Sequence, residues 1–179
     1  MLPPPENDLR PAVVQACALA RQFEGFRSHP YKDSGGVWTI GYGFTHLPAG
    51  SSAPRPLGTT NQGRQVPVTA ATPPLTPAQA DPILHTMMGG IAHQIWHESA
   101  GKLQDSALAA LADFAFNMGL HALLHSTLWR LLMAGHESQA RAQLGRWVHG
   151  KGSAKPLPGL VRRRAAEAAL WAGQPSTAH

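Results

Sequence analysis

The chain has 179 residues, which is enough for one domain or for two small lobes that share a core. Its formal net charge of +5 favours an anionic partner such as nucleic acid, an acidic lipid surface or an acidic polysaccharide. A single cysteine, Cys17, excludes a disulfide within the chain. Residues 1–25 lack a basic segment followed by a continuous apolar run, so we expect neither a secretory signal nor a membrane span.

The first predicted elements are a helix and a short hairpin. Asp8 and Pro11 indicate a helix start, and Gly25 indicates its end, which places Glu24 at the helix C-terminus. The following DSGG has the residues of a tight turn. In VWTIGYG (37–43) larger apolar residues alternate with others, which is typical of a hairpin strand.

The second half of the chain is predicted to be helical. Residues 48–75 are rich in proline and lack apolar periodicity, which predicts a long surface loop or flexible insert. Thr76 and Gln79 form a capping-box pattern, and Pro82 and Gly89-Gly90 are expected to interrupt the helix that it opens. Further helices that supply the main core are predicted over 105–118, 126–134, 137–148 and 160–172. This layout predicts an α+β fold with segregated elements.

Two carboxylates and a hydroxyl are concentrated within QFEGFRSHPYKDSGGVWTIGYG, residues 22–43. Hydrolysis of a glycosidic bond needs a protonated acid at the leaving oxygen and a second group that handles water or the sugar cation. Glu24 suits the acid role, because the C-terminal end of a helix and burial among aromatic side chains both favour a neutral carboxyl. Asp33 would lie exposed at the turn, and the Thr39 hydroxyl would hold a water beside it. Each of the three residues by itself is more often structural.

The pattern E-x8-D-x5-T, with YKDSGGVWTIGYG around it, resembles the phage-type lysozymes (glycoside hydrolase family 24), the muramidase family of phage endolysins. The likeness covers about positions 17–172 and is broken mainly by the proline-rich segment. Other segments resemble that family in the same order: LAALADFAFNMG (108–119), STLWRLLMAG (126–135), GRWVHGKG (145–152) and LPGLVRRRAAEAALW (157–171).

The resemblance implies one lysozyme-like domain over 1–179 with two lobes. The first helix and a small antiparallel β-hairpin region, about 8–47, would carry the active site. Residues 76–172 would form a mainly helical lobe, and 173–179 a tail.

The resemblance also implies roles for individual residues. Glu24 would be the general acid, while Asp33 and Thr39 would position and activate the water, with inversion as the usual outcome of the family. Further matches are a cleft-lining residue, Phe116, and two saccharide-contacting residues, Thr45 and Thr127.

One position departs from the family pattern. Phe44 stands where the family often has a histidine. A hydrogen bond that steadies this loop in relatives is then either absent or supplied by His46.

The activity implied by the resemblance is hydrolysis of the β-1,4 bond between N-acetylmuramic acid and N-acetylglucosamine in bacterial peptidoglycan, without a cofactor or a metal. The protein would be a monomer that accumulates in the host cytoplasm. It would reach the wall after a membrane-permeabilising holin, with which it forms no stable complex, has breached the inner membrane.

Two rival functions stay open. A lytic transglycosylase would use the same substrate but leave anhydro-muramic ends, and the presence of Asp33 and Thr39 argues against it. A non-catalytic peptidoglycan-binding or tail-associated protein would not need the intact triad of residues.

Other features favour structural interpretations. His93 and His97 lack the H-E-x-x-H pattern of a zinc helix, so a solvated helix face is expected. Consecutive residues 162–164, all arginine, point in different directions on a helix, so no nucleic-acid partner is predicted and at least one arginine should pack inside. Core packing is expected for the four tryptophans within helices, whereas Trp38 fits either packing or sugar stacking.

Overall fold

The computed structural model describes residues 9–33, 35–48, 65–150 and 154–174. The chain divides into two compact units. A helical unit combines residues 1–23 with 87–179, and a hairpin unit consists of residues 24–86. Together the helices and small antiparallel sheets confirm the predicted α+β class.

The hairpin unit contains two small antiparallel sheets. Strands β1 (Arg27–Lys32) and β2 (Trp38–Gly41) form the first sheet, in which Tyr31 lies opposite Thr39 and Lys32 opposite Trp38. The predicted strand after the DSGG turn is thus confirmed. The buried face of the unit includes Ile40, which forms a bridge with Phe44.

The proline-rich segment is more regular at its described ends than the sequence predicted. Strands β3 (His46–Pro48) and β4 (Gln65–Pro67) pair as the second sheet. Val68 and Leu75 are buried, and the Leu75 N–H donates to the Ser28 carbonyl at 2.9 Å. These contacts are made with distant parts of the chain, so local composition does not reveal them. The remaining residues of the predicted insert, 49–64, lie outside the described residues.

Seven α-helices and a 3₁₀ turn account for the helical part of the described chain. The first helix ends at Glu24, as predicted, and Gly25 has a positive φ of 65°, which suits a glycine that ends a helix. None of the described helices combines the length and hydropathy needed to cross a membrane. The elements are α1 (Arg10–Glu24), α2 (Pro77–Glu98), α3 (Asp105–Met118), α4 (Leu120–Leu124), α5 (Thr127–Met133), α6 (Glu137–Ala142), the 3₁₀ turn (Gln143–Arg146) and α7 (Pro158–Trp171).

Helix α2 begins with the predicted capping box but is not interrupted. The Gln79 N–H donates to Thr76 Oγ1 at 3.3 Å, and the Thr76 N–H donates to Gln79 Oε1 at 2.8 Å. The expected break at Pro82 and at Gly89-Gly90 is wrong, because the helix runs through both. An interior proline costs about 3 kcal/mol and each glycine about 1 kcal/mol. Burial of apolar side chains along the helix offsets these costs, namely Ile83, Leu84, Met88, Ala92 and Ile95.

The C-terminal helices follow the predicted pattern with two differences. The helix over 105–118 is confirmed, and α5 and α7 lie within two residues of their predicted ends. The helix predicted over 137–148 ends at Ala142 and continues as the 3₁₀ turn, which contains the weak helix former Gly145. Helix α4 was not predicted, since five residues are too few to show a periodic pattern.

A buried cluster of charged side chains joins α3 and α7 in the helical unit. Arg163 donates two hydrogen bonds to Asp113, at 2.9 and 2.8 Å. The Nη2 of Arg164 lies 2.9 Å from Asn117 Oδ1 and 2.7 Å from Glu167 Oε1. Burial raises the pKa of Glu167 well above its usual value, although the Arg164 guanidinium opposes this shift.

The arginine triplet at 162–164 thus divides by burial. Arg163 and Arg164 are buried, whereas Arg162 is exposed. This confirms that at least one of them packs inside. A surface that binds phosphates is not formed by three residues of which two are paired within the fold.

Substitution Glu167→Gln is expected to remove a pH dependence from the free energy of unfolding. The pKa of Glu167 is raised in the folded state, so the folded protein keeps a proton that the unfolded chain releases above pH of about 4.5. The resulting stabilisation is fully present below that value and is lost as pH rises through the folded-state pKa. Thermal unfolding should therefore show that the Tm of the variant minus that of the wild type increases from about pH 5 to about pH 8.

The exposed Glu98 supplies a matched control, since Glu98→Gln makes the same chemical change on the surface. Its Tm profile should run parallel to that of the wild type. A Glu167→Gln profile that is also parallel would contradict the prediction.

Candidate active site

Glu24 lies at the boundary between the first helix and the hairpin unit. It is the last residue of α1, and its side chain is half-buried. A Cβ placed on Gly43 would lie 3.4 Å from Glu24 Oε2, so the carboxyl packs against the backbone just after β2. Gly43 has a φ of +88°, a left-handed conformation that favours glycine. The second glycine of GYG therefore permits this turn of the backbone, against which the carboxyl packs.

Asp33 closes the turn between β1 and β2 with its side chain. Its Oδ1 accepts hydrogen bonds from the N–H groups of Gly35, at 2.8 Å, and Val37, at 2.9 Å. Its own N–H donates to the Val37 carbonyl at 3.0 Å. The side chain is half-buried, not exposed as the sequence predicted, because the turn folds around one of its oxygens. No donor from the described residues reaches the other oxygen, Oδ2.

Thr39 lies on β2 and is only 3% exposed. Its Oγ1 donates to the Val37 carbonyl at 3.1 Å. A hydroxyl whose hydrogen is already used still has oxygen lone pairs that accept hydrogen bonds. Thr39 Oγ1 is therefore oriented as an acceptor toward any additional partner.

The main chain of Val37 connects two of the three candidate residues. Its N–H bonds to the Asp33 carboxylate, and its carbonyl accepts from the Thr39 hydroxyl. Glu24, Asp33 and Thr39 all belong to the hairpin unit, and Glu24 packs on Gly43, two residues beyond the end of β2. The sequence pattern did not single out Val37 or Gly43, although GYG contains the signal for the latter.

The three residues that the resemblance assigns to substrate binding, one cleft-lining and two saccharide-contacting, are divided between the units. Thr45 belongs to the hairpin unit, where its Oγ1 lies 3.2 Å from His46 Nδ1. Phe116 on α3 and Thr127 at the start of α5 belong to the helical unit. Phe116 is half-buried, whereas Thr127 is exposed and its Oγ1 accepts from Arg130 Nη2 at 3.1 Å.

The position that departs from the family pattern is part of the core. Phe44 is fully buried, and its ring occupies the space where a Cβ on Gly41 would lie, at 2.9 Å. His46 is exposed and bonds within the loop through Thr45. The apolar ring at position 44 thus packs in the core. A histidine buried at this position would need a hydrogen-bond partner.

The tryptophans expected to pack do so. Trp129 and Trp171 are buried, and the Trp171 indole N–H donates to Glu137 Oε1 at 2.9 Å. Trp96 and Trp147 are half-buried, the latter edge-on to another aromatic ring, Phe114. Burial of all four side chains, complete or partial, is consistent with the packing role predicted for them.

Two other sequence features have surface positions. His93 and His97 are exposed on α2, as expected for a solvated helix face. Within the described ranges, no three histidine, cysteine, aspartate or glutamate side chains form a group that would hold a metal ion. Trp38 is half-buried, with the Lys32 ammonium 5.4 Å from its ring centroid.

Comparisons of the sequence with known proteins show which family it resembles. A family model described as phage lysozyme matches residues 21–167, which is most of the chain. An endolysin of Acyrthosiphon pisum secondary endosymbiont phage 1 is 30% identical over 155 residues, which cover 86% of this chain and 92% of that protein. A SAR-endolysin of Escherichia phage Mu is 45% identical over 62 residues, 35% of each chain.

Solved structures share the fold. The muramidase domain of SpmX from Asticaccaulis excentricus superposes with a TM-score of 0.66 at 25% identity and covers 87% of this chain and 93% of its own. The active form of the P1 phage endolysin Lyz has a TM-score of 0.66 at 23% identity and 94% coverage of both chains, which shows the fold alone. The predicted lysozyme-like fold is thereby confirmed. The chain belongs to the phage lysozyme family and is a lysozyme-type glycosidase that lyses peptidoglycan.

Proposed function

We propose that the protein hydrolyses the β-1,4 bond between N-acetylmuramic acid and N-acetylglucosamine, with Glu24 as the general acid and Asp33 and Thr39 as the residues that hold the water. The observation that carries this proposal is the hydrogen bonding around Val37, which ties the Asp33 carboxylate and the Thr39 hydroxyl to the main chain of one residue. Membership of the phage lysozyme family supports the same assignment.

The proposed water site follows from the hydrogen bonds that are already made. Asp33 uses Oδ1 in the turn, so Oδ2 is the oxygen that takes a proton from water. Thr39 donates its own hydrogen to Val37, so its oxygen accepts the second water hydrogen. A water held by two acceptors directs its lone pair away from them, toward the sugar carbon that is attacked.

Glu24 would protonate the leaving oxygen. Its carboxyl is half-buried and packs against the backbone at Gly43, which limits the positions that the side chain can take. Catalysis of this kind depends on a proton donor held within hydrogen-bond reach of the leaving group. We propose inversion as the stereochemical outcome, and NMR observation of the anomer formed first would test it.

The proposed biological role is lysis of a bacterial host. Relatives from several phages carry the name endolysin, and the family model supports a wall-degrading enzyme. We propose a monomer, one lysozyme-like domain over residues 1–179, that needs a holin to reach the wall from the host cytoplasm. Detection of the protein in periplasmic fractions before membrane damage would contradict this route.

Product analysis tests the chemistry. Purified sacculi digested by the wild type should yield reducing muramic acid ends by mass spectrometry. Glu24→Gln should lower their rate of formation by at least about 100-fold, because the amide has no acidic proton to transfer. Glu98→Gln is the control, since Glu98 is also the last residue of a helix but is exposed. Anhydro-muramic ends would indicate a transglycosylase, and no products from folded wild type would indicate a binding protein.

Two substitutions separate the turn role of Asp33 from its chemical role. Asp33→Asn keeps an oxygen that accepts from Gly35 and Val37, so the free energy of unfolding should change by less than about 1 kcal/mol. Activity should nevertheless fall at least about 100-fold, because the amide cannot accept a water proton as a base. Asp33→Ala should lose the activity and also about 1–3 kcal/mol of stability. Activity of Asp33→Asn near that of the wild type would leave Asp33 with a turn role only.

Gly43→Ala should impair catalysis by shifting the backbone against which the Glu24 carboxyl packs. A methyl group there would be in ordinary contact with Oε2 at 3.4 Å, but the positive φ adds strain of about 1–2 kcal/mol, and relief of this strain would move the backbone. Gly135→Ala is the matched control: its φ is +81°, and nothing lies within 4 Å of the added carbon. Chemical denaturation should show similar destabilisation of both variants, whereas kcat on sacculi should fall only for Gly43→Ala. An equal kcat in the two variants would contradict the packing role.

A further inference from the structure

An exposed arginine on β1 is held by a neighbouring ring. The guanidinium carbon of Arg27 lies 4.4 Å from the ring centroid of Tyr31. Four residues along a regular strand span about 13 Å. The pairing register shifts between these two residues, and such bulges bend a strand and re-aim its side chains. Within the described part of the chain, Arg27 forms no ion pair, and its guanidinium interacts with the Tyr31 ring.

The stack lies on the face of the hairpin that carries Thr39. Directly opposed residues of an antiparallel pair project to the same side, and Tyr31 is opposite Thr39. The adjacent pair, Lys32 and Trp38, projects to the other side, where the Lys32 ammonium lies 5.4 Å from the Trp38 ring centroid. Each face of the hairpin thus carries one cationic side chain that packs on an aromatic ring. Only the pair of Arg27 and Tyr31 lies on the face of the proposed water site.

A guanidinium stacked on a ring is suited to bind a carboxylate. A ring below the guanidinium restricts its movement and does not use up its N–H groups, which lie at the edge of the guanidinium plane. Carboxylates accept two parallel hydrogen bonds from this fork, which lysine cannot provide. Peptidoglycan presents such groups close to the scissile bond, because a stem peptide with carboxylates is attached to each muramic acid.

We propose that Arg27, positioned by Tyr31, binds a carboxylate of the stem peptide carried by the muramic acid at the cleavage site. This inference rests on the proposed function, because it places that sugar beside Thr39. It makes Arg27 a specificity residue that distinguishes peptide-bearing glycan from uncharged glycan. Because Arg27 would contribute to substrate binding and not to the chemical step, its loss should raise KM while kcat stays near its wild-type value.

The test compares native sacculi with sacculi whose carboxyls have been converted to methylamides by carbodiimide coupling, which leaves wall phosphates unchanged. Binding is measured by co-sedimentation in the Glu24→Gln background, so that the substrate is not digested. We expect the parent to bind native sacculi about tenfold more tightly than amidated ones, a size typical of one charge-assisted contact. Arg27→Gln should abolish that preference.

Lys32→Gln is the matched control, because it removes the same charge from the same hairpin on the opposite face. It should keep the full preference for native sacculi. Arg27→Lys should lose most of it, since the charge remains but the planar fork does not. Kinetics in the active background should show KM raised about tenfold for Arg27→Gln alone.

Three results would overturn the proposal: no preference of the parent for native sacculi, an equal loss in Arg27→Gln and Lys32→Gln, or full retention in Arg27→Lys. Failure of the proposed function is a separate observation, because it means that the wild type forms no reducing ends. Carboxylate-dependent binding through Arg27 is measured independently of turnover and would persist in that case.

Discussion

The Asp33 carboxylate is the constraint on which the active hairpin depends. A single oxygen accepts from two backbone amides and thereby closes the turn that joins β1 to β2. This turn also sets the register of β1 and β2, in which Thr39 lies opposite Tyr31. Because the same side chain leaves its second oxygen without a donor from the described residues, the group that shapes the hairpin is also the group suited to hold water. Fold and proposed chemistry are therefore coupled through one residue.

The helical unit is organised by a different interaction, the buried charges between α3 and α7. Breaking a buried pair by removing one partner typically costs about 3–5 kcal/mol, because the other charge is left uncompensated. The bidentate contact of Arg163 with Asp113 therefore specifies how these two helices pack more strictly than apolar contacts alone. Arg164 extends the same cluster over the face of Phe114, at 4.7 Å. Two of the three adjacent arginines of α7 are thus internal in this protein.

The proposed catalytic and binding side chains are both restricted by a contact with an unusual stretch of backbone or with an aromatic ring. Glu24 rests on a glycine with positive φ, and Arg27 is aimed by a shift in strand register. Such arrangements limit the freedom of a side chain before substrate arrives, so less conformational entropy is lost on binding. The hairpin, although small, therefore carries most of the proposed chemistry.

Local signals in the sequence determined the end of α1 at Glu24, the capping box at Thr76 and the spacing that singled out the three candidate catalytic residues. These features depend on residues only a few positions apart, so propensity and hydrogen bonding within a turn are sufficient to predict them. The tertiary structure alone decided that α2 continues through Pro82, because burial of its apolar side chains in the fold offsets the local cost. It likewise decided that both turn amides share a single oxygen of Asp33, since hydrogen-bond geometry follows from the folded backbone and not from spacing.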